Sequence, residues 1–490
     1  MTEEKKPPYG VIAILFAGAF VAIFNQTLLN IALPSIMLDF GISNPSTAQW
    51  LITGYMLVNG ILIPASAYFI QRYSNRSIFI LAMSLFVLGT LIAGIAPTFG
   101  VLLAARMIQA SGSALMMPLL MNVMLAAFPV EKRGAAMGLF GLVMIVAPAI
   151  GPTLSGFIVE HYSWRVLFFI VLPIALIPLG LGIFKLNNLT FQNRELSLDK
   201  MSLILSTLGF GGILYGFSAA GQDGWDDSLV VGTIIIGAVS LVMFILRQLK
   251  LSEPLLEFRI YKYPMFALSS AISIVLSISM FSAMILMPIY IQTIKGISPF
   301  ESGLLMLPGA LVMGIMSPIT GRLFDKYGAK ILAAIGMTIV VISTYYFSQL
   351  SIASSYVFIM VLYTIRMLGI SMVMMPVMTN GLNTLPMRAY PHGTAMNNTL
   401  QQVSGAIGSA LLITIMNKRT TATANELAAS GADPAGIMNN AMMDGINFTF
   451  FVSTFIAGVA LLLAFFIRKP ESQPTEEEKK SVYKQEPVTE

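Results

Sequence analysis

The chain has 490 residues, of which 56% are hydrophobic and 10% charged, and its mean hydropathy is +0.80; this is the composition of an integral membrane protein and excludes a soluble globular one. The net charge of +5 reflects the distribution of basic residues about a membrane, so a nucleic-acid-binding reading has no support. Zero cysteines exclude a disulfide framework and a thiolate metal site, and two histidines, His161 and His392, argue against a His-metal cluster.

A helix rises about 1.5 Å per residue, so roughly 20 apolar residues cross a ~30 Å hydrocarbon layer. Fourteen such runs are predicted, beginning with 10–33, which follows "MTEEKKPPY" and has no cleavage site after it. This first run contains "FNQTLLN", with the amides Asn25, Gln26 and Asn30 at membrane depth. Gln26 and Asn30 share a helix face, and Asn25 lies about 100° from Gln26. Span 2 (50–70) leads into "AYFIQRYSNR", with Arg72 and Arg76, and is followed by span 3 (77–96) and span 4 (100–128). Span 4 carries "RMIQASGSALMMP", placing Arg106 and Gln109 inside a helix. An ionised side chain there marks a cavity, a partner or a pathway, unless it snorkels to the headgroups.

Span 5 (135–158) opens "GAAMG" and contains "APAIGPTLSG". Gly151 and Gly156 allow close helix approach, while Pro148 and Pro152 remove backbone donors and favour a bend. Spans 6 (165–185), 7 (201–220), 8 (228–247), 9 (265–292) and 10 (302–320) follow. Span 10 runs into "GRLFDKYGAK", where Asp325 stands beside Lys326 and Lys330 between Gly321 and Gly328, parts suited to clamping helix ends. After span 11 (330–350), span 12 (355–382) carries "RMLGISMVMMP" with Arg366, and span 13 (394–416) carries "NNTLQQ". There Asn397 with Gln401, and Asn398 with Gln402, form i,i+4 pairs, suited either to polar parts of a ligand or to a neighbouring helix. The segment between spans 13 and 14 (446–467) is Ala-rich with a central "SGADPAG", and reads either as an outer helical cap or hairpin or as a linker. The methionine-rich runs "MFSAMILM" and "MVMMPVM" can line a permissive apolar pocket.

With the N terminus in the cytoplasm, 22 of the 28 Lys and Arg fall on the cytoplasmic side, four outside (Arg165, Lys295, Lys418, Arg419) and two, Arg106 and Arg366, within helices. The positive-inside rule then predicts both termini in the cytoplasm, as an even number of spans requires. Spans 1–6 repeat in outline as spans 9–14: the two basic loops, the two "RM…MMP" segments and "GAAMG" with "GTAMN" correspond. The expected organisation is a tail (1–9), a six-helix bundle (10–185), an inserted two-helix segment (186–262), a second six-helix bundle (263–467, with outer loop 417–445) and a solvated, disordered cytoplasmic tail (468–490).

These motifs resemble the major facilitator superfamily, and within it the fourteen-span drug:proton antiporter family, in particular lincomycin-resistance-type multidrug exporters of Gram-positive bacteria. "NQTLLNIALP" is similar to the family's aspartate-x-Thr-x-x-Asn-x-Ala-Leu-Pro, with Asn25 where the aspartate usually stands. "GRLFDKYGAK" matches the family's cytoplasmic gating loop, whereas the first copy has Ala67 and Gln71 in place of its Gly and Asp. "APAIGPTLSG" resembles the antiporter motif, and Ser163 to Arg165 the outer "SWR". The resemblance implies an all-α membrane protein of the major facilitator fold, with 14 transmembrane helices arranged 6+2+6. It implies a multi-pass protein of the bacterial plasma membrane that exports lipophilic compounds by alternating access, driven by protons; the alternative is a facilitator or exporter of an endogenous metabolite or lipid-like molecule.

The expected cavity lining is Asn25, Gln26, Asn30, Arg106, Gln109, Arg366, Asn397, Asn398, Gln401 and Gln402, with gating by Arg72, Arg76, Gly321, Asp325, Lys326 and Gly328. None of the 23 acids lies near the middle of a predicted span, although proton-coupled carriers commonly use membrane acids. Glu301 and Asp39, at the outer ends of spans 10 and 1, are the remaining coupling candidates, with solvated loop charges as the alternative. No nucleotide-binding loop, catalytic triad or metal cluster is legible, so no cofactor, no enzymatic activity and no obligate protein partner is expected; lipophilic small molecules, protons and membrane lipid are the expected partners.

Overall fold

The computed structural model describes residues 9–42, 45–188, 196, 198–430 and 434–468. The tails on which solvation and disorder were expected thus lie almost wholly outside the described residues, as do the side chains of Asn30, Pro148 and Pro152.

Among the described residues all regular structure is helical, in fourteen long α-helices: α1 (Tyr9–Phe40), α2 (Pro45–Arg72), α3 (Asn75–Gly94), α4 (Phe99–Ala127), α5 (Arg133–His161), α6 (Arg165–Lys185), α7 (Lys200–Asp223), α8 (Ser228–Lys250), α9 (Pro264–Ile289), α10 (Pro299–Tyr327), α11 (Ala329–Phe347), α12 (Tyr356–Asn383), α13 (Tyr390–Ala429) and α14 (Pro434–Ala464). Thirteen are long and apolar enough to cross a membrane; in α5 the side chains of 142–150 fall outside the description. The helices start where local chemistry stops the backbone amides from going unpaired. Ser74, Thr98, Ser298 and Ser355 each accept from a backbone N–H at the start of α3, α4, α10 and α12. Gly328, at φ +79°, makes the tight turn from α10 to α11.

The helix neighbours repeat with a shift of eight. α1 packs on α4, α5 and α6, α2 on α4, and α3 on α4 and α6; α9 packs on α12, α13 and α14, α10 on α12, and α11 on α12 and α14. Between the two sets the main contacts are α5 with α10 and α2 with α13, which the same shift exchanges. α7 packs on α8 and lies against both α2 and α13, so the extra pair touches both sets. Trp50 stacks on Tyr215 at 5.5 Å, and the Trp225 indole donates to the Thr414 hydroxyl at 2.5 Å. At the opposite end, Asp199 caps α7 through Ser202 and receives both the Nε and an Nη of Arg247, at 2.6 and 2.9 Å. Those guanidinium bonds hold its carboxyl well below the usual range, so the pair is intact at neutral pH and lost only in acid.

Small residues bring the helices close. Added Cβ atoms at Gly336 and Gly369 would meet each other's helix backbone at 2.6 and 2.8 Å, and one at Gly89 would meet the Ala105 carbonyl and the Gln109 amide at 2.7 Å. Several helices, α1, α2, α10, α13 and α14 among them, exceed their predicted lengths. α13 continues to Ala429 and α14 starts at Pro434, so the segment 417–445 is largely a helical hairpin, the first of the two readings open from sequence. Its Ala-rich halves carry no helix breaker before Ser430, and Asp444 ties them by accepting from Arg419 and Thr423, both at 2.6 Å.

Candidate functional site

The face that carries Arg72, Lys132, Arg133, Lys326 and Lys330 is the basic one, and there the two six-helix sets close on each other. α5 has no side-chain cap of its own. Its first free amides donate instead to Asp325 at the end of α10: Gly134 N to Oδ1 at 2.8 Å and Ala135 N to Oδ2 at 2.9 Å. A carboxylate at a helix N-terminus gains from both the unpaired N–H groups and the helix dipole. The helices can come this near because Gly134, Gly138 and Gly141 of α5 face Ser317 and Gly321 of α10. The Ser317 hydroxyl donates to the Gly138 carbonyl at 2.8 Å, and a Cβ at Gly321 would collide with the carbonyl of Gly134.

Two further bridges complete this closure. Arg133, buried at the start of α5, donates to Asn383 of α12 at 3.1 Å and to the Tyr390 hydroxyl of α13 at 2.7 Å, and its guanidinium lies 4.9 Å from the Tyr390 ring centre. Gln71 of α2 contacts His392 of α13 at 3.0 Å. Gln71 occupies, in the first basic loop, the place that Asp325 holds in the second. These hydrogen bonds between α1–α6 and α9–α14 all lie in the basic half.

The other expected gating residues are placed differently. Arg72 donates to the Leu196 carbonyl and Arg76 to the Ile183 carbonyl near the end of α6. Both therefore hold the first helix set and its linker together. Lys326 is exposed and lies 5.1 Å from the Tyr327 ring centre.

Asp325→Asn replaces one acceptor by a donor that faces an N–H, and removes the charge. The contact between the two helix sets should weaken by about 1–3 kcal/mol, roughly fivefold or more in its equilibrium. Transport should fall while the amount of folded protein in the membrane stays at parent level; parent transport by well-expressed variant protein would show that this contact is not needed for transport.

Deeper in the first set, Arg106 is 1% exposed. It donates to Gln109 Oε1 at 2.5 Å, and Gln109 Nε2 donates to Thr90 of α3 at 2.7 Å. The guanidinium lies 4.2 Å from the ring centre of Tyr55 on α2. Around this ring one of the first span's amides reappears: the Tyr55 hydroxyl points among Asn25, Asn59 and Ser113 without an aligned hydrogen bond. Asn25 Nδ2, Tyr55 OH, Asn59 Oδ1 and Arg106 Nε are all buried with no protein partner. Such atoms cost about 1–3 kcal/mol each unless water or a ligand meets them. Gln26 is half-buried on the next position of the helix.

The second set repeats the theme with other residues. Arg366 is fully buried and donates to the Thr344 hydroxyl at 3.3 Å and to the Ser279 carbonyl at 2.6 Å, leaving one Nη without a partner. Its aromatic neighbour is Tyr363 of α12, which occupies the space beside Gly309 of α10. No carboxylate pairs with Arg106 or Arg366 among the described residues. Beside this site a narrow cleft is lined by Ser277 and Met280 of α9, Met374 and Met378 of α12, and Asn397 and Gln401 of α13. Asn397 Nδ2 contacts the Met378 sulfur at 2.7 Å, and Asn398 Nδ2 turns back to the Thr394 carbonyl at 2.8 Å. Gln402 is half-buried.

The antiporter-like segment packs on α1. A Cβ at Gly151 would collide with Thr27, and Ser155 donates to the Leu28 carbonyl at 2.6 Å, whereas Gly156 has open space beside it. At the face opposite the basic one, Asp39 pairs with Arg165 at 2.6 Å and accepts from the Trp164 indole at 3.2 Å, and Arg165 also donates to the Ala96 carbonyl at 3.1 Å. Glu301 is exposed at the start of α10: its N–H donates to the Ser298 hydroxyl, which in turn donates to Oε2, both at 3.2 Å. Arg133, Tyr55, Asn59, Gln71 and His392 were not among the candidates from sequence. Gln71 carried the one available signal, as the altered member of a repeated loop.

The family model of the major facilitator superfamily matches residues 15–409. The chain is 50% identical over 434 residues to the MFS-type transporter YhcA of Bacillus subtilis, covering 88% of this chain and 81% of that one. It is 43% identical over 466 residues to a lincomycin resistance protein, LmrB, of Listeria innocua, covering 95% and 98%. Among solved structures, a proton:xylose symporter of the same superfamily aligns with a TM-score of 0.63 at 14% identity, over 97% of this chain and 98% of the other. With its many apolar helices and this similarity over nearly the whole chain, the protein is a multi-pass membrane transporter and belongs to the major facilitator superfamily.

Proposed function

We propose that the protein is a proton-driven exporter of lipophilic small molecules that works by alternating access, with the basic face in the cytoplasm. The observation that carries this reading is the one-sided closure: helix sets related by a repeat meet through hydrogen bonds at the basic face. Rocking about the α5–α10 and α2–α13 contacts would separate that face and expose the polar groups around Tyr55 and the cleft beside Asn397. The methionines of that cleft, flexible and polarisable, suit ligands of varied shape, and the likeness to a lincomycin resistance protein supports export. The amides and arginines offer hydrogen bonds but no negative charge, which favours neutral or weakly acidic lipophilic substrates.

The test is transport in sealed proteoliposomes with an imposed pH gradient, using lincomycin and a neutral lipophilic dye as probes. Movement of either probe against its gradient, with counterflow of protons and collapse of both by a protonophore, is expected. Equilibration of the probes without proton movement would replace the exporter by a facilitator.

Of the two acids expected to couple protons, Asp39 is held as a strut. Hydrogen bonds from Arg165 and Trp164 keep its carboxyl below the usual range, so its stabilising contribution is present at neutral pH and disappears as pH falls through and below that range. Asp39→Asn should therefore lower thermal stability at neutral pH, with the difference vanishing in acid, and leave the pH profile of transport between about pH 6 and 8 unchanged. A shifted transport profile would return Asp39 to the coupling pathway.

A further inference from the structure

The basic-face closure contains one imidazole, that of His392. It stands in the first turn of α13, 8% exposed. Two donors converge on it. Gln71 Nε2, oriented by a second bond to the Ala67 carbonyl at 3.1 Å, meets Nε2 at 3.0 Å. The backbone N–H of Glu257, in the segment that joins the inserted pair to α9, meets Nδ1 at 3.3 Å. A neutral imidazole has one lone pair to offer these donors, and a protonated one has none. We infer that His392 is a proton-operated latch: through its one lone pair the neutral ring ties α13 to α2 or to the segment before α9, and protonation turns that acceptor into a donor facing donors, releasing the basic face.

Ionisable groups on the elements around the latch are engaged or exposed. Arg72 of α2 is turned to the Leu196 carbonyl. The Glu257 carboxylate receives the Arg259 N–H and guanidinium at 2.9 and 3.3 Å. Asp199, which caps α7, is held by Arg247, and Lys262 before α9 and Arg388 before α13 are exposed. The last three turns of α4 and α12 contain no ionisable residue. No carboxylate therefore stands ready to receive a charged ring, and acid breaks the latch.

The sign suits the proposed antiport, on which the coupling part of this inference rests. An exporter driven by inward protons must return to its cytoplasm-facing form when protonated, and protonating His392 opens the cytoplasmic side. The symmetry-related contact at Asp325 has no such property, because a carboxylate on backbone amides offers acceptors throughout this pH range. The two halves of the gate thus divide the work: one side holds by a fixed charge, the other by a titrating ring.

The experiment reads the width of the basic face in the full chain in lipid nanodiscs, by distance measurement between spin labels at Val130→Cys and Lys326→Cys, from about pH 5.5 to 8. In the labelled parent the open fraction should rise at least about fivefold on acidification across this range. His392→Gln keeps an acceptor oxygen and cannot be protonated, so it should remain closed at every pH. Gln71→Glu supplies a carboxylate for the charged ring and should reverse the response, closing in acid. A parent insensitive to pH, or a His392→Gln variant that opens in acid like the parent, overturns the latch, and misfolding of one variant leaves the sign reversal in the other decisive. A pH-dependent latch in a protein that moves no protons during transport would sink the antiport reading and keep the latch; proton-coupled transport with an insensitive gate would do the opposite.

Discussion

Gly321→Val should abolish transport while leaving a folded, membrane-inserted protein. A Cβ at this position collides with the carbonyl of Gly134 and lies 3.1 Å from the Gly138 Cα, so the obstruction is backbone, which cannot rotate away. Overpacking of this kind costs about 1–3 kcal/mol and occasionally more, and it falls only on the form in which α5 and α10 touch at the basic face. The closed form should become rarer by about tenfold to a hundredfold. In the proposed cycle transport needs both forms in turn, so a probe would bind from the basic side but leave slowly. Gly156→Ala, with nothing within 4 Å of the added carbon, is the matched control and should transport normally. Equal activity in the two variants, measured at equal amounts of protein, would show that the α5–α10 seam does not move.

Arg106→Ala should also reduce transport by at least about tenfold, from the loss of a charge-assisted hydrogen bond of about 1.5–3 kcal/mol. Its guanidinium donates to Gln109 and lies over the Tyr55 ring, while its Nε has no protein partner. Lys cannot reproduce this, because a point charge has neither the planar face nor the fork, so Arg106→Lys should recover little. Stability should change less than transport, since removing a buried cation relieves its desolvation. Normal probe export by Arg106→Ala would demote the arginine to a packing element. A variant that binds the probe as tightly as the parent but fails to move it would place Arg106 in the conformational step.

Much of this was legible before any coordinates. Runs of about 20 apolar residues mark helices because lipid leaves the backbone no other way to pair its polar groups. The repeated loops and "RM…MMP" segments announced a duplicated bundle, and the packing repeats with the shift of eight helices that they imply. Arg106 and Arg366 stood out as charges in apolar runs, and Asp325 as the acid of the better-preserved loop. What remained hidden was pairing across distance. Gln71 meets His392, and Arg133 meets Asn383 and Tyr390, over separations that no local periodicity encodes. The aromatic partner of each arginine was equally unreadable, since Tyr55 comes from a neighbouring helix and Tyr363 from the same helix as its arginine. Asp39 looked available because its partner Arg165 lies five helices later in the chain. Glu301 looked like an acid at a cavity mouth, although "SPFE" is also a capping-box spacing.

Alternating access requires that the two faces move in opposite senses, and the cysteine-free sequence makes this directly measurable. Spin labels at Val130→Cys and Lys326→Cys report the basic face, and a second pair at Tyr162→Cys and Phe300→Cys reports the opposite ends of α5 and α10. Both distances should be compared between the parent background and Gly321→Val. The expected result is a longer basic-face distance and a shorter opposite-face distance in the variant. Two distances that lengthen together, or a basic-face distance that stays at its parent value, would contradict transport by rocking of the two helix sets.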